Sequence, residues 1–175
     1  MPGKIPLEEL SFSTLESNDD ILKLDCTETD GSDSLNVNEF IHKHAIKSHN
    51  AKLTTVYMVR YKNEIVACFS LSMFVIKEKK LTKEDQVKDS PFSSYPAILL
   101  GQMCVDKQYR GRDIGKHICK FSLGVVSNIS KRVGCMCLVL HTNESKRDYY
   151  VNKCGFGKAK EDPTDRTIWL YKRVI

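Results

Sequence analysis

Two periods run through the hydrophobic positions of this chain. A period of two, or a short unbroken apolar run, marks strands, and a period of three to four marks helices. Leu7 to Leu15 reads as a first strand, with Leu10 and Phe12 on one side. Leu35 to Ile46 reads as a helix, with Val37, Phe40, Ile41 and Ala45 on one face. Leu53–Tyr61 and Ile65–Met73 are rich in β-branched and aromatic residues and predict a hairpin turned at Lys62-Asn63-Glu64. Ile98, Leu99, Leu100, Met103 and Val105 form a run more continuous than alternating, which predicts a central strand covered on both faces. Ile114, Ile118, Phe121, Val125 and Ile129 then mark one face of a helix. Cys135–His141 predicts another buried strand, Asp148–Lys153 a short helix stopped by Gly155, and Gly157–Lys160 with Thr167–Arg173 a closing pair of strands. Glu28–Ser34 and Thr82–Pro96 are polar loops, the second long enough to be functional.

The junction at Val105–Gly115 changes the picture from architecture to chemistry. A strand runs through Gln108-Tyr109-Arg110-Gly111-Arg112-Asp113-Ile114-Gly115 directly into a helix. The first amides of a helix have no partner within it and sit at the positive end of its dipole, so they bind anions. Gly111 lets a ligand approach the main chain, and Arg110, Arg112 and Lys116 add positive charge. From the residues alone, an ordinary strand–turn–helix corner with solvated charges stays open beside this reading.

Composition allows an enzyme of one domain. The chain has 175 residues, 41% hydrophobic and 28% charged, which is ordinary for a globule. No apolar run approaches the roughly 20 residues that span a bilayer, and the polar start Met1-Pro-Gly-Lys has no signal-peptide pattern, so no membrane is expected and a cytoplasmic setting is. Seven cysteines, mostly within apolar segments, point to small buried thiols in a reducing compartment rather than a disulfide framework. Cys135-Met136-Cys137 lacks metal-ligand spacing, and no metal is expected. Charge is uneven: residues 1–40 carry −8, and the rest of the chain +13. A basic body suits an anionic partner.

Val105-Asp106-x-Gln108-Tyr109-Arg110-Gly111-Arg112-x-Ile114-Gly115 resembles the acyl-CoA pyrophosphate loop, Q/R-x-x-G-x-G/A, of the GCN5-related N-acetyltransferase (GNAT) superfamily. Gln108 and Gly111 match, while Asp113 stands where Gly or Ala is usual. A carboxylate there repels pyrophosphate but also suits a helix start, an effect of roughly 0.3–1 kcal/mol. The order of elements resembles the same family over nearly the whole chain. The resemblance implies an α/β, single-domain GNAT fold over residues 1–175, with a mixed sheet of six to seven strands. Its two central parallel strands, Ile98–Val105 and Cys135–His141, would splay to admit the pantetheine arm.

The resemblance also implies roles. Acetyl-CoA would be held by Met103, Cys104, Val105, Gln108, Arg110, Gly111, Arg112, Asp113, Ile114, Gly115, Lys116 and Asn143. Many relatives carry a carboxylate base on the first central strand, but Ala97–Gln102 holds no acid, so the acceptor amine would be largely neutral already or deprotonated through water. A tyrosine four residues before the Gly of a Gly-Phe pair would protonate the leaving thiolate. Val151 occupies that place before Gly155-Phe156, leaving Tyr150, or else Tyr149, as the acid. His117 and His141 are further, less favoured bases. Leu24-Asp25-Cys26, Leu35, Glu39-Phe40-Ile41, Ala45, Thr55-Val56-Tyr57 and Phe69-Ser70-Leu71 resemble the N-terminal half of the toxin-type acetyltransferases of toxin–antitoxin modules, which acetylate aminoacyl-tRNA. Residues 27–34 interrupt that likeness, and the acidic N-terminus would repel RNA. The implied activity is N-acetyl transfer from acetyl-CoA to a primary amine by direct attack in a ternary complex, the acceptor being a protein or small-molecule amine or an aminoacyl-tRNA, with tRNA and a second copy of the chain open as partners. The alternative is an acyl-CoA-binding module without turnover.

Overall fold

The computed structural model describes residues 3–161 and 167–174, so Met1 and Pro2 of the polar start lie outside the described residues. Seven strands hydrogen-bond in the order β1-β2-β3-β4-β5-β7-β6, in an α/β arrangement with four helices. The strands are β1 Leu10–Thr14, β2 Thr55–Tyr61, β3 Glu64–Lys77, β4 Ser94–Val105, β5 Cys137–Thr142, β6 Gly157–Lys158 and β7 Ile168–Arg173. The helices are α1 Val37–Lys43, α2 Ala45–Asn50, α3 Ile114–Ser130 and α4 Glu144–Cys154. The chain forms two compact units, Met1–Ser72 with Gly101–Ile118 and Met73–Leu100 with Cys119–Ile175.

The first unit is built on antiparallel pairs. β1 pairs with β2 from Leu10↔Tyr61 to Thr14↔Tyr57, and β2 pairs with β3. Lys62 and Asn63, at φ 50° and 68°, make a two-residue turn of the kind that matches strand twist, so Glu64 belongs to the strand rather than the turn. Residues 7–9, expected to open the first strand, form a 3-10 turn. The expected helix from Leu35 is two helices. The Asp33 carboxylate accepts from the Val37, Asn38 and Glu39 amides and starts α1, while His44 leaves helical geometry at φ −125° and divides α1 from α2.

Leu15, Ile21, Leu24, Val37, Ile41, Ala45, Val56, Met58 and Cys68 form this unit's core. Within it Cys26 and Cys104 are joined by a disulfide, with Cα atoms 5.5 Å apart. This corrects the expectation that every cysteine is a thiol. Packing brings together two residues 78 positions apart, which spacing along a chain cannot reveal. The other five cysteines are buried and outside any disulfide. Burial pushes the Cys68 thiol up to about 12.

In the second unit β4 and β5 are the parallel pair, in register from Ala97↔Cys137 to Leu100↔Leu140. β5 also pairs antiparallel with β7 from Cys137↔Arg173 to Thr142↔Ile168. The expected closing pair of strands forms as β6–β7, which is antiparallel and shorter than expected, Gly157–Lys158 and Ile168–Arg173. β4 starts at Ser94, so Tyr95 and Pro96 belong to strand rather than loop; the Pro96 carbonyl accepts from the Met136 amide. α4 is longer than the sequence pattern suggested, because Asn143 caps it three residues after the last apolar strand position, Leu140. α3 has the expected extent, but its buried face is Ile114, Ile118, Cys119, Ser122 and Val126, with Phe121, Val125 and Ile129 only half-buried. Small Cys and Ser side chains admit the closest approach, so the stripe is rotated from the purely hydrophobic one.

Candidate active site

β4 serves the cores of both units. Ala97 and Leu99 face the core that contains Phe74 and Ile76 of β3. Further along, Cys104 faces the core that contains Cys68 of β3. Odd positions of β4 thus face the core of one unit, and an even position faces the core of the other. Between them, a Cβ at Gly101 would come within 2.6 Å of Ser70 Oγ, which accepts from the Gln102 amide. Among the described residues the parallel register ends at Leu100↔Leu140, just before this point, and β4 continues for five residues, Gly101–Val105.

Beyond Val105 the loop is held from two sides within its own unit. The buried Asp106 carboxylate accepts from the Gln108 amide at 2.9 Å and from the Asp25 amide at 3.0 Å, and the Asp25 carbonyl accepts from the Lys107 amide. This shapes the 3-10 turn Lys107–Tyr109. From the other side, the Ile5 amide donates to the Arg112 carbonyl at 3.1 Å, and His117 Nε2 lies 3.0 Å from the Ile5 carbonyl. His117 is thereby an anchor of the N-terminal segment rather than a base. Neither brace has a local sequence signal, apart from an Asp just ahead of a turn.

Gly111 takes φ 78°, open to glycine and costly for a side chain. Asp113 takes φ 65° and its carbonyl accepts the first described bond of α3, from the His117 amide. The amides of Ile114, Gly115 and Lys116 lie ahead of that bond, at the helix's positive end. The conformation explains why small residues suit position 113, and why Asp, tolerant of the left-handed region, can replace them. Asp113 is therefore not the extended cap expected from its residue type. Its carboxylate meets Lys4 Nζ at 3.1 Å, a hydrogen bond that holds it below the usual carboxylate range. Arg110 Nε donates to the Val105 carbonyl, and the Arg112 guanidinium lies over the Tyr109 ring. Arg112 Nε is buried with no hydrogen-bond partner among the described residues, an unusual state for a charge-bearing donor. Cys104, expected in the cofactor set, has its side chain in the disulfide, so only its main chain is left for a ligand.

The remaining expected residues lie on α4, in the other unit. Asn143 Oδ1 accepts from the Lys146 amide at 3.2 Å and from Ser145 Oγ at 2.8 Å, so this residue caps the helix. Gly155 ends it at φ 71°, with the Phe156 amide donating to the Tyr150 carbonyl. Tyr150 is buried, edge-on to both Tyr149 and Phe156. Burial, helped by the nearby Cys119 and Cys154 thiols, pushes the Tyr150 phenol well up. Tyr149 is 37% exposed, and its phenol is raised as well, chiefly by the part that packs inward. Both tyrosines thus keep their protons over the neutral range. Among the described residues no group of three His, Cys, Asp or Glu side chains is placed to hold a metal ion.

Over residues 16–156 the sequence matches the model of the acetyltransferase (GNAT) family. The chain belongs to the GNAT family. The GNAT fold is equally clear from solved structures. A mutant of KacT superposes with a TM-score of 0.79 at 21% identity, covering 95% of both chains. AtaT complexed with acetyl-methionyl-tRNAfMet gives a TM-score of 0.78 at 18% identity over 94% of both. AtaTR bound with AcCoA gives 0.73 at 20% identity over 95% of both. No curated protein sequence matches the chain. The strand before Asp106 and the helix from Ile114 stand where the sequence pattern put them.

Proposed function

We propose that this GNAT protein acts, as one domain, to transfer an acetyl group from acetyl-CoA to a primary amine, by direct attack in a ternary complex. The observation that carries the reading is the loop Gln108–Lys116: a left-handed Gly111, helix amides ahead of their first bond, and a buried Arg112 Nε awaiting an acceptor. These are the donors a diphosphate needs, and Asp113 does not oppose it because its charge is turned to Lys4. Main-chain groups of Met103 and Val105, on the part of β4 beyond the parallel ladder, hold the acetyl and pantetheine groups and polarise the thioester carbonyl.

The amine nitrogen attacks that carbonyl carbon, the C–S bond breaks, and the nitrogen loses its proton to water. Gln102 cannot take it, and Asp106 is committed to two amides. The thiolate receives the phenol proton of Tyr150, and the phenolate, which burial disfavours, regains a proton from the water that took the amine's; Tyr149 is the alternative acid. Asn143, whose Oδ1 caps α4, serves the pantetheine arm.

For the acceptor, we favour the α-amine of an aminoacyl ester, as on an aminoacyl-tRNA. Its amine is less basic than a lysine's, which fits a strand without a base, and the body of the chain carries +13. The fold likeness to AtaT complexed with acetyl-methionyl-tRNAfMet supports this choice. The same substrates imply a cytoplasmic setting; no described helix is long and apolar enough to cross a membrane. Calorimetry with acetyl-CoA, followed by acetyl transfer to aminoacyl-tRNA and to a lysine peptide, tests the reading. Heat at micromolar cofactor with transfer to the ester is the expected result. Binding without transfer to any amine would leave the acyl-CoA-binding module instead, and no heat at millimolar cofactor would remove both.

A further inference from the structure

One face of the second unit's sheet is only partly covered. Alternation puts Cys137, Val139 and His141 of β5 on this face, opposite Tyr171 and Trp169 of β7, with Ala97 and Leu99 of β4 beside them. The other face carries Leu138, Leu140 and Lys172, and Lys172 Nζ donates to the Cys154 carbonyl of α4, so the tyrosine-bearing helix lies on that other side. Residues 78–86 cover one end of the first face. Leu81 is fully buried there, the Thr82 amide donates to Tyr171 Oη, and that hydroxyl donates to Asp85 Oδ2 at 2.6 Å.

At the other end of the same face Phe74, Leu99, His141 and Trp169 are only half-buried. The Phe74 and Trp169 rings lie 5.4 Å apart, tilted by 35°. His141 packs against Trp169 and edge-on to Phe74. Its Nδ1 lies 3.3 Å from Thr167 Oγ1, which fixes the ring. These four residues flank the last rung of the parallel ladder, Leu100↔Leu140, where the proposed chemistry begins.

We propose that Phe74, Leu99, His141 and Trp169 form the subsite for the side chain of the acceptor, selecting primary α-amines that bear an apolar or aromatic group. The inference rests on the acetyltransferase reading. Three features single out this occupant. The rings are held in place by each other and by Thr167, so they offer a preformed apolar wall at little entropic cost. The opening lies at the end of the ladder, on the face away from α4, so a group seated there leaves its amine near the end of β4–β5 pairing. The wall is built mostly of aromatic and aliphatic carbon and contains no Lys, Arg, Asp or Glu, which suits a carbon side chain rather than a phosphate.

Trp169 is the chain's one tryptophan, so its emission reports on the subsite without any turnover. The full-length protein is titrated with L-phenylalaninamide and, separately, with glycinamide. Saturable change with the first and none with the second is expected, and Phe74→Ala should weaken it about tenfold or more. In transfer assays the wild type should prefer the ring-bearing amide in kcat/KM by about tenfold or more, and Phe74→Ala should bring the ratio toward one with KM for acetyl-CoA unchanged. Should the alanine variant not fold, Phe74→Leu should show a smaller shift in the same direction. Equal responses to both amides, or an emission indifferent to both, overturn the subsite whatever the transfer assay gives. Transfer to no amine, with emission still selective, overturns the acetyltransferase reading and leaves the subsite standing.

Discussion

In the proposed reaction the loop after β4 and the helix α4 act by different means. The loop works through its main chain. Gly111 and Asp113 set left-handed turns, α3 supplies amides, and the side chains mostly brace: Asp106 holds two amides, and Asp113 faces Lys4. α4 works through side chains. Its main chain is satisfied by the Asn143 cap and the Gly155 stop, and what it offers is two phenols whose protonation burial controls. A main-chain site tolerates many residues so long as the turn is kept. A side-chain site tolerates many backbones so long as one group is kept in one environment. Substitutions should therefore fail differently in the two places.

The largest effect is expected at Gly111. Gly111→Glu puts a side chain at φ 78° and a negative charge against the diphosphate. Calorimetry should find acetyl-CoA affinity reduced about a hundredfold or more, in line with a lost charge-assisted network. Retained affinity would show that the loop does not grip the cofactor.

Tyr150→Phe probes the other kind of site. It keeps the ring against Phe156 and removes the proton, so kcat should fall about a hundredfold while KM for acetyl-CoA changes less than about twofold. Tyr149→Phe should cost far less. The reverse ranking would assign the acid to the exposed tyrosine. Because burial raises the Tyr150 phenol, wild-type kcat should show no alkaline fall near pH 10, about the ordinary phenol value. A fall there would mean that the donor is solvated.

Alkaline stability gives an intermediate effect. The Cys68 thiol goes from 9.0 to about 12 on folding, and Cys137 likewise reaches about 12. A raised folded pKa means that the folded chain keeps protons the unfolded one releases, so stability is intact below pH 9 and declines as pH rises toward 12. Melting temperature measured across that window should fall, and less steeply in Cys68→Ala compared from its own neutral-pH value.

The smallest effect should be a gain. Asp113→Gly keeps the left-handed turn and releases Lys4 Nζ from its carboxylate partner, adding an uncompensated positive charge beside the loop. Acetyl-CoA affinity should rise by about twofold to fivefold, the equivalent of 0.3–1 kcal/mol. Weaker binding would mean that the Lys4–Asp113 pair is needed to hold the loop open.

Much of the loop was legible because its causes are local. A strand-length apolar run, a glycine, basic residues and a helical repeat follow one another within 25 residues, and the structure places each near its expected position. The errors are equally instructive. His44 broke a helix that the apolar pattern carried through, since periodicity records which side chains face a core and not where a backbone bends. The face of α3 was misread because Cys119 and Ser122 are buried there in preference to larger Phe121 and Val125.

The sequence by itself determined the family, the order of strands and helices, and the strand–turn–helix proposed to hold a diphosphate, because turns, helix starts and short-range periodicity are properties of neighbouring residues. Only the tertiary structure decided that Cys26 meets Cys104, that Lys4 draws off the Asp113 charge, that Tyr150 is buried and Tyr149 is not, and that Phe74, His141 and Trp169 share one face. Each of these joins residues distant along the chain or depends on what covers a side chain, and desolvation and packing act through space without regard to sequence separation.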